Sequence, residues 1–152
     1  MNDKRMVNGK LSMMNEKENS QFITHNSPLK QGYKQTDAGI IPSDWNVDEI
    51  QNLAEITTGA KNTQDKINGG TYPFFVRSQI VEKKNSFSFD GEAILTAGDG
   101  VGTGKVFHYI NGKFDYHQRV YKISNFTNRL NGYFFYKYFS NNFYNRIMLV
   151  PR

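Results

Sequence analysis

The residues that invite a chemical reading first are Gly98-Asp99-Gly100-Val101-Gly102-Thr103-Gly104-Lys105. Four glycines leave the backbone bare enough for a phosphate to approach. The spacing does not fit. A phosphate-binding loop needs G-x-x-x-x-G-K-[ST], yet Asp99 stands at the first glycine and Val106 replaces the magnesium-holding hydroxyl. No register matches G-x-G-x-x-G, and the strand-like KVFHYI that follows is not the helix N-terminus such a loop uses. A metal-dependent nuclease can be drawn from Asp65 with Glu82-Lys83-Lys84, a carboxylate followed by E-x-K, but no Pro-Asp pair supports it. Asp99, Asp115 and His117 can equally be drawn as metal ligands. The histidines His25, His108 and His117 show no H-x-x-x-H spacing, and there is no G-x-S-x-G elbow. No catalytic residue and no metal site is assigned.

What remains is binding. A polar loop, Thr57 to Gly70, carries Lys61, Asn62, Gln64 and Lys66; Arg77, Ser78 and Gln79 follow the apolar run TYPFFV. Lys83 and Lys84, then Lys105, then His117 and Arg119 complete the candidate set. Arginine reads guanine and amides read adenine through paired hydrogen bonds, while lysine supplies phosphate affinity. The competing reading of each is a solvated surface charge or a structural pair. Arg119 alternates with aromatics and could be a buried, paired arginine.

The elements that carry these residues read mainly as strands. Aromatics make up 14% of the 152 residues, with 12 Phe and 9 Tyr, which suits pleated, half-buried surfaces. Strands are expected over Thr71–Val76, Glu92–Thr96 and Lys105–Ile110. Asn111-Gly112 is expected to form a type I′ hairpin turn into a further strand over Phe114–Ile123. Trp45, Val47, Ile50, Leu53 and Ile56 suit a short strand passing into a helical turn, with Pro42 ending the element before it and Trp45 anchoring the entry to the core. Phe134, Phe135, Tyr138, Phe139, Phe143 and Ile147 form a helical stripe within Gly132–Met148, expected to pack as core, with Ser140-Asn141-Asn142 the place where it could break.

Residues 1–31 are polar and aperiodic and are expected to form a disordered tail; residues 32–148 are expected to be one domain. Leu149-Val150-Pro151-Arg152 matches the sequence left by thrombin cleavage of a tag and is set aside as a scar, so a longer natural protein is expected. There is no cysteine, no apolar leader and no run of roughly 18 apolar residues, so a cytoplasmic protein without a membrane partner is expected. Net charge is +5, and no Asp or Glu follows Asp115, whereas six Lys or Arg do. That asymmetry leans toward an anionic partner.

The run GYKQTDAGIIPSDWNV, then YPFFVRS, GEAILTAGDGVGTGKVFHY and GKFDYHQRVYKI, resembles in order the target recognition domain of type I restriction–modification specificity subunits, from about Tyr33 to Met148. The resemblance implies an α+β fold: a twisted, largely antiparallel, barrel-like sheet with a few short helices and a C-terminal helical segment. It implies a non-catalytic domain that reads one half-site of double-stranded DNA and directs methyltransferase and restriction subunits to it. S-adenosylmethionine, ATP and magnesium would be bound by those partners and none by this chain. The recognition domain of a single-chain restriction–methyltransferase fusion and a metal-dependent nuclease domain are the alternatives. Because the glycine run recurs among members that read different targets, the resemblance assigns it to scaffold or phosphate contact near Lys105. Base reading is expected from the loops at 60–68 and 77–86.

Overall fold

The computed structural model describes residues 29–148, with side chains described through Phe143. Most of the expected tail and all of the expected scar lie outside the described residues. The chain divides into two compact units, one ending at Trp45 and the other starting at Asn46. In the first, β1 (Tyr33–Thr36) and β2 (Gly39–Pro42) form an antiparallel hairpin pairing Tyr33 with Pro42 and Thr36 with Gly39. Pro42 closes β2, as its missing N–H demands. Trp45 is not a core anchor. Its backbone N–H is tied to the Pro42 carbonyl in a turn (3.1 Å), and its side chain is 62% exposed.

The second unit is a six-stranded sheet with one long helix. A 3-10 turn at Ile50–Asn52 leads into β3 (Glu55–Thr58), and residues 45–49 form no strand where a short one was expected. Another 3-10 turn, Thr63–Asp65, precedes β4 (Tyr72–Phe75) and β5 (Glu82–Lys84). Then come β6 (Phe89–Ala97), a third 3-10 turn at Gly100–Gly102, β7 (Phe107–Tyr116), β8 (Val120–Ser124) and α1 (Gly132–Met148). The strand order is β3-β8-β6-β7-β4-β5. Every pair is antiparallel except β4 with β7, where Phe74 and Phe75 lie beside Asp115 and Tyr116. The sheet curls but stays open, ending at β3 and β5, so the barrel-like expectation holds for its curvature and not for closure.

Asn111-Gly112 is not a turn. Both residues sit inside β7, where Asn111 pairs with Glu92 and Gly112 with Gly91. The two facing glycines adopt φ of +144° and +150°, a conformation that side chains resist. At that point the β6–β7 ribbon can bend without losing its register. One consequence is that both ends of β7 approach β4: Tyr116 pairs with Phe75, while the His108 ring near the start of β7 lies 5.1 Å from the ring of Phe75. The expected strand over Phe114–Ile123 is likewise divided. His117, Gln118 and Arg119 form a crossover, after which β8 pairs with the far side of β6 rather than with β7.

β6 is buried on both faces, which explains why AILTA reads as a continuous apolar run without alternation. Ala93 and Leu95 pack with Phe75, Phe114, Tyr116 and Val120 on one face; Ile94 packs with Ala54 and Ile123 on the other. Burying side chains such as Ile94 and Leu95 contributes about 1.5–3 kcal/mol each. Helix α1 covers the Ile94 face with Phe135, Tyr136 and Phe139, and Phe107 lies edge-on to Phe139 at 5.2 Å. Its first turn is capped by Asn131, whose side-chain oxygen accepts from the Phe134 N–H at 2.8 Å. The helix runs unbroken through Ser140-Asn141-Asn142. Only part of the expected stripe is core: Phe134 is 69% exposed.

Candidate nucleic-acid interface

The crossover His117-Gln118-Arg119 gathers the site. The backbone N–H of His117 donates to the Phe75 carbonyl, that of Gln118 to the Lys61 carbonyl, and that of Gly98 to the Arg119 carbonyl, each at 2.9 Å. Gln118 Nε2 donates to Asn62 Oδ1 at 2.9 Å, and Lys61 forms a parallel bridge with His117. Two loops and the end of β4 therefore converge on one short segment. The His117 ring is buried, with Nδ1 accepting from the Arg119 N–H at 3.0 Å, so the neutral ring carries its proton on Nε2. Burial lowers its pKa, and the positive charges of Arg77 and Arg119 lower it further. His117 is thus a neutral bracket for the crossover, placed inside the protein.

Asp99 lies at the centre of this arrangement. Its Oδ1 accepts from Arg77 Nη1 at 2.5 Å and its Oδ2 from Arg119 Nη1 at 3.2 Å. The Arg77 hydrogen bond, above all, holds the Asp99 carboxyl below the usual carboxylate range. Arg77 is 37% and Arg119 55% exposed, so both guanidiniums remain within reach of a partner. Two shallow pockets open on either side of Asp99: Thr58, Gly98, Gln118, Arg119 and Tyr121 line one, and Arg77 with Gly100–Gly102 the other.

The glycines of the loop follow from the same packing. A Cβ on Gly102 would meet the Arg77 carbonyl oxygen at 2.7 Å, and one on Gly98 would meet the Tyr121 ring at the same distance. Close approach is needed, as the sequence indicates, but the groups approaching are the chain segments around the two arginines.

The remaining candidates fall into an extension of this cluster and a separate edge. Gln79 Nε2 donates to the Lys105 carbonyl at 2.7 Å, and the Ser78 carbonyl lies 2.9 Å from His108 Nε2, which brings Ser78, Gln79 and Lys105 together beside Arg77. Gln64 is exposed on the 3-10 turn that Asn62 and Asp65 cap. Lys66 pairs with Glu82 at 3.0 Å, and the Ile67 N–H donates to the Lys83 carbonyl at 2.7 Å, so Lys66 and Lys83 belong to the β5 edge. Lys83 is exposed, whereas Lys84 is buried with its ammonium 3.3 Å from the equally buried Asp115. Asp115 also accepts from Ser88 Oγ at 2.8 Å. Lys84 is therefore held within the sheet by its acid partner.

The acids once drawn as metal ligands are engaged in these pairs: Asp65 in its cap, Glu82 with Lys66, Asp99 with two arginines, Asp115 with Lys84. No group of three or more metal-capable side chains comes together among the described residues. Sequence reading did not single out Asp99 as the partner of both arginines. The signal it had was an acid flanked by glycines in a basic chain.

The domain is thus a β-rich one, an open curled sheet with arginine and amide side chains on converging loops. Residues 42–149 match the family described as type I restriction modification DNA specificity domain, and the chain belongs to that family. The chain is 38% identical over 86 residues to the Type I restriction enzyme EcoDI specificity subunit of Escherichia coli, covering 57% of this chain and 19% of that protein. Its fold is similar to that in the crystal structure of a type I restriction-modification system S subunit from M. genitalium, at a TM-score of 0.56 and 13% identity, over 65% of this chain and 28% of that one. The fold is that of a target recognition domain. The chain spans about a fifth of the length of the E. coli relative.

Proposed function

We propose that this domain binds double-stranded DNA sequence-specifically, as one target recognition domain of a type I specificity subunit. The observation that carries the reading is the convergence of Arg77, Arg119, Lys61, Asn62 and Gln118 through the crossover, in a chain of this family. Arginines and amides at fixed mutual positions are the groups that read base edges. Lys61, Lys105, Lys66 and Lys83, with Gln64, Ser78 and Gln79 beside them, would add phosphate and flanking contacts. His117 and Lys84 would act from within, by fixing the backbone that carries the readers.

On this reading the domain catalyses nothing itself. It would direct methyltransferase and restriction subunits to a half-site in the cytoplasm, and S-adenosylmethionine, ATP and magnesium would belong to those subunits. Selection from a randomised duplex library tests the proposal: enrichment of a motif of a few base pairs is expected, and binding without enrichment would defeat it. An Arg77→Ala variant should bind the enriched duplex at least about tenfold more weakly.

A further inference from the structure

One acid stands between the two exposed arginines of the site, one oxygen for each. Arg77 continues from β4, Arg119 lies in the β7–β8 crossover, and Asp99 lies in the loop from β6 to β7. Each is thus on a different segment, and the carboxylate ties the three together. Without it, two guanidiniums drawn to the same small region would repel each other and lose their common orientation. The glycines of this loop let it lie close to both arginine-bearing segments: the Gly98 N–H donates to the Arg119 carbonyl, and Gly102, three residues beyond Asp99, has room for no Cβ beside the Arg77 carbonyl.

We propose that Asp99 is a positioning residue for DNA readout, fixing Arg77 and Arg119 as one unit and offsetting part of their charge so that phosphate attraction alone does not hold the domain on DNA. This rests on the DNA-binding reading above. A guanidinium is a planar fork of donors, and Asp99 engages only Nη1 of each, so both keep further N–H groups for a base edge or a phosphate. The contribution of Asp99 is therefore to discrimination. Its charge works against bulk affinity.

The test compares the 152-residue chain with Asp99→Asn on two duplexes, the one enriched from the randomised library and a scrambled duplex of the same composition. Asp99→Asn should lower the ratio of the two affinities roughly tenfold, the order of one lost bidentate contact. Affinity for the scrambled duplex at low salt should hold or rise, and its dependence on salt should steepen by up to about one counterion. Asp99→Glu, which keeps the charge, should recover part of the ratio. An unchanged ratio in Asp99→Asn overturns the inference while leaving DNA recognition standing. If Asp99→Asn unfolds, Arg119→Lys decides: it keeps the charge and loses the fork, so the ratio should fall at unchanged salt dependence, and an unchanged ratio overturns the inference. If the library yields no motif, the functional reading fails and this inference fails with it.

Discussion

Lys83 and Lys84 are adjacent and chemically identical, yet the pleat of β5 sends them to opposite environments. Removing one member of a buried ion pair strands the other charge, which costs about 3–5 kcal/mol, whereas an exposed lysine costs little. Lys84→Ala should therefore lower the urea midpoint sharply and Lys83→Ala should leave it nearly unchanged. Sequence alone made these two a basic pair, because nothing local marks the distant Asp115 as a partner for one of them. His117 gives a second expectation. Its folded pKa lies below the ordinary value near 6.5, so the unfolded chain binds the proton more readily than the folded one. Stability should be full above about pH 7 and decline as pH falls through 6.5 toward the folded pKa. Urea midpoints at about pH 7.5 and 5.5 measure the decline, and His117→Gln should remove part of it.

At the level of elements, the apolar runs over β4 and β6 and the helical period of α1 were legible, because burial imprints itself directly on residue type. Asn111-Gly112 was not. The dipeptide tolerates positive φ in a turn, but tertiary pairing with Gly91 uses the same tolerance to bend a strand. The crossover was also hidden, since alternation continues through Phe114–Ile123 whether or not the chain changes neighbours. Helix α1 separates core from surface within one stripe. Phe139, in contact with Phe107, Phe135 and Phe143, should cost roughly 3 kcal/mol when changed to Ala. Phe134→Ala, at a position 69% exposed, should change the thermal midpoint little.

For the whole molecule, the composition reported a basic chain, and the fold shows how unevenly that charge is spent. Lys84 is neutralised inside the sheet, and Lys122 is buried over the Phe89 ring at 3.6 Å, where burial lowers its pKa. Arg77 and Arg119 share one acid. The count of 19 Lys and Arg therefore overstates the cations a duplex would meet. If about four phosphates are neutralised, affinity for any duplex should fall roughly a hundredfold between 50 and 200 mM salt. Electrophoretic or anisotropy titrations across that range read the slope directly. The site was legible as a set of residue types and not as an arrangement, because its assembly depends on which strands neighbour each other.

The strand order also dictates when the domain can complete itself on the ribosome. β3 emerges early but, among the described residues, pairs with no strand other than β8, setting Glu55 opposite Ser124 and Thr58 opposite Tyr121. Until β8 is made, both β3 and one side of β6 are bare edges of a nascent sheet, open to pairing with a second chain. A translation product stopped before Val120 would hold most of the reading residues on a structure that cannot close ranks, and would be prone to aggregate. The last short strand thus acts as the seal on everything synthesised before it.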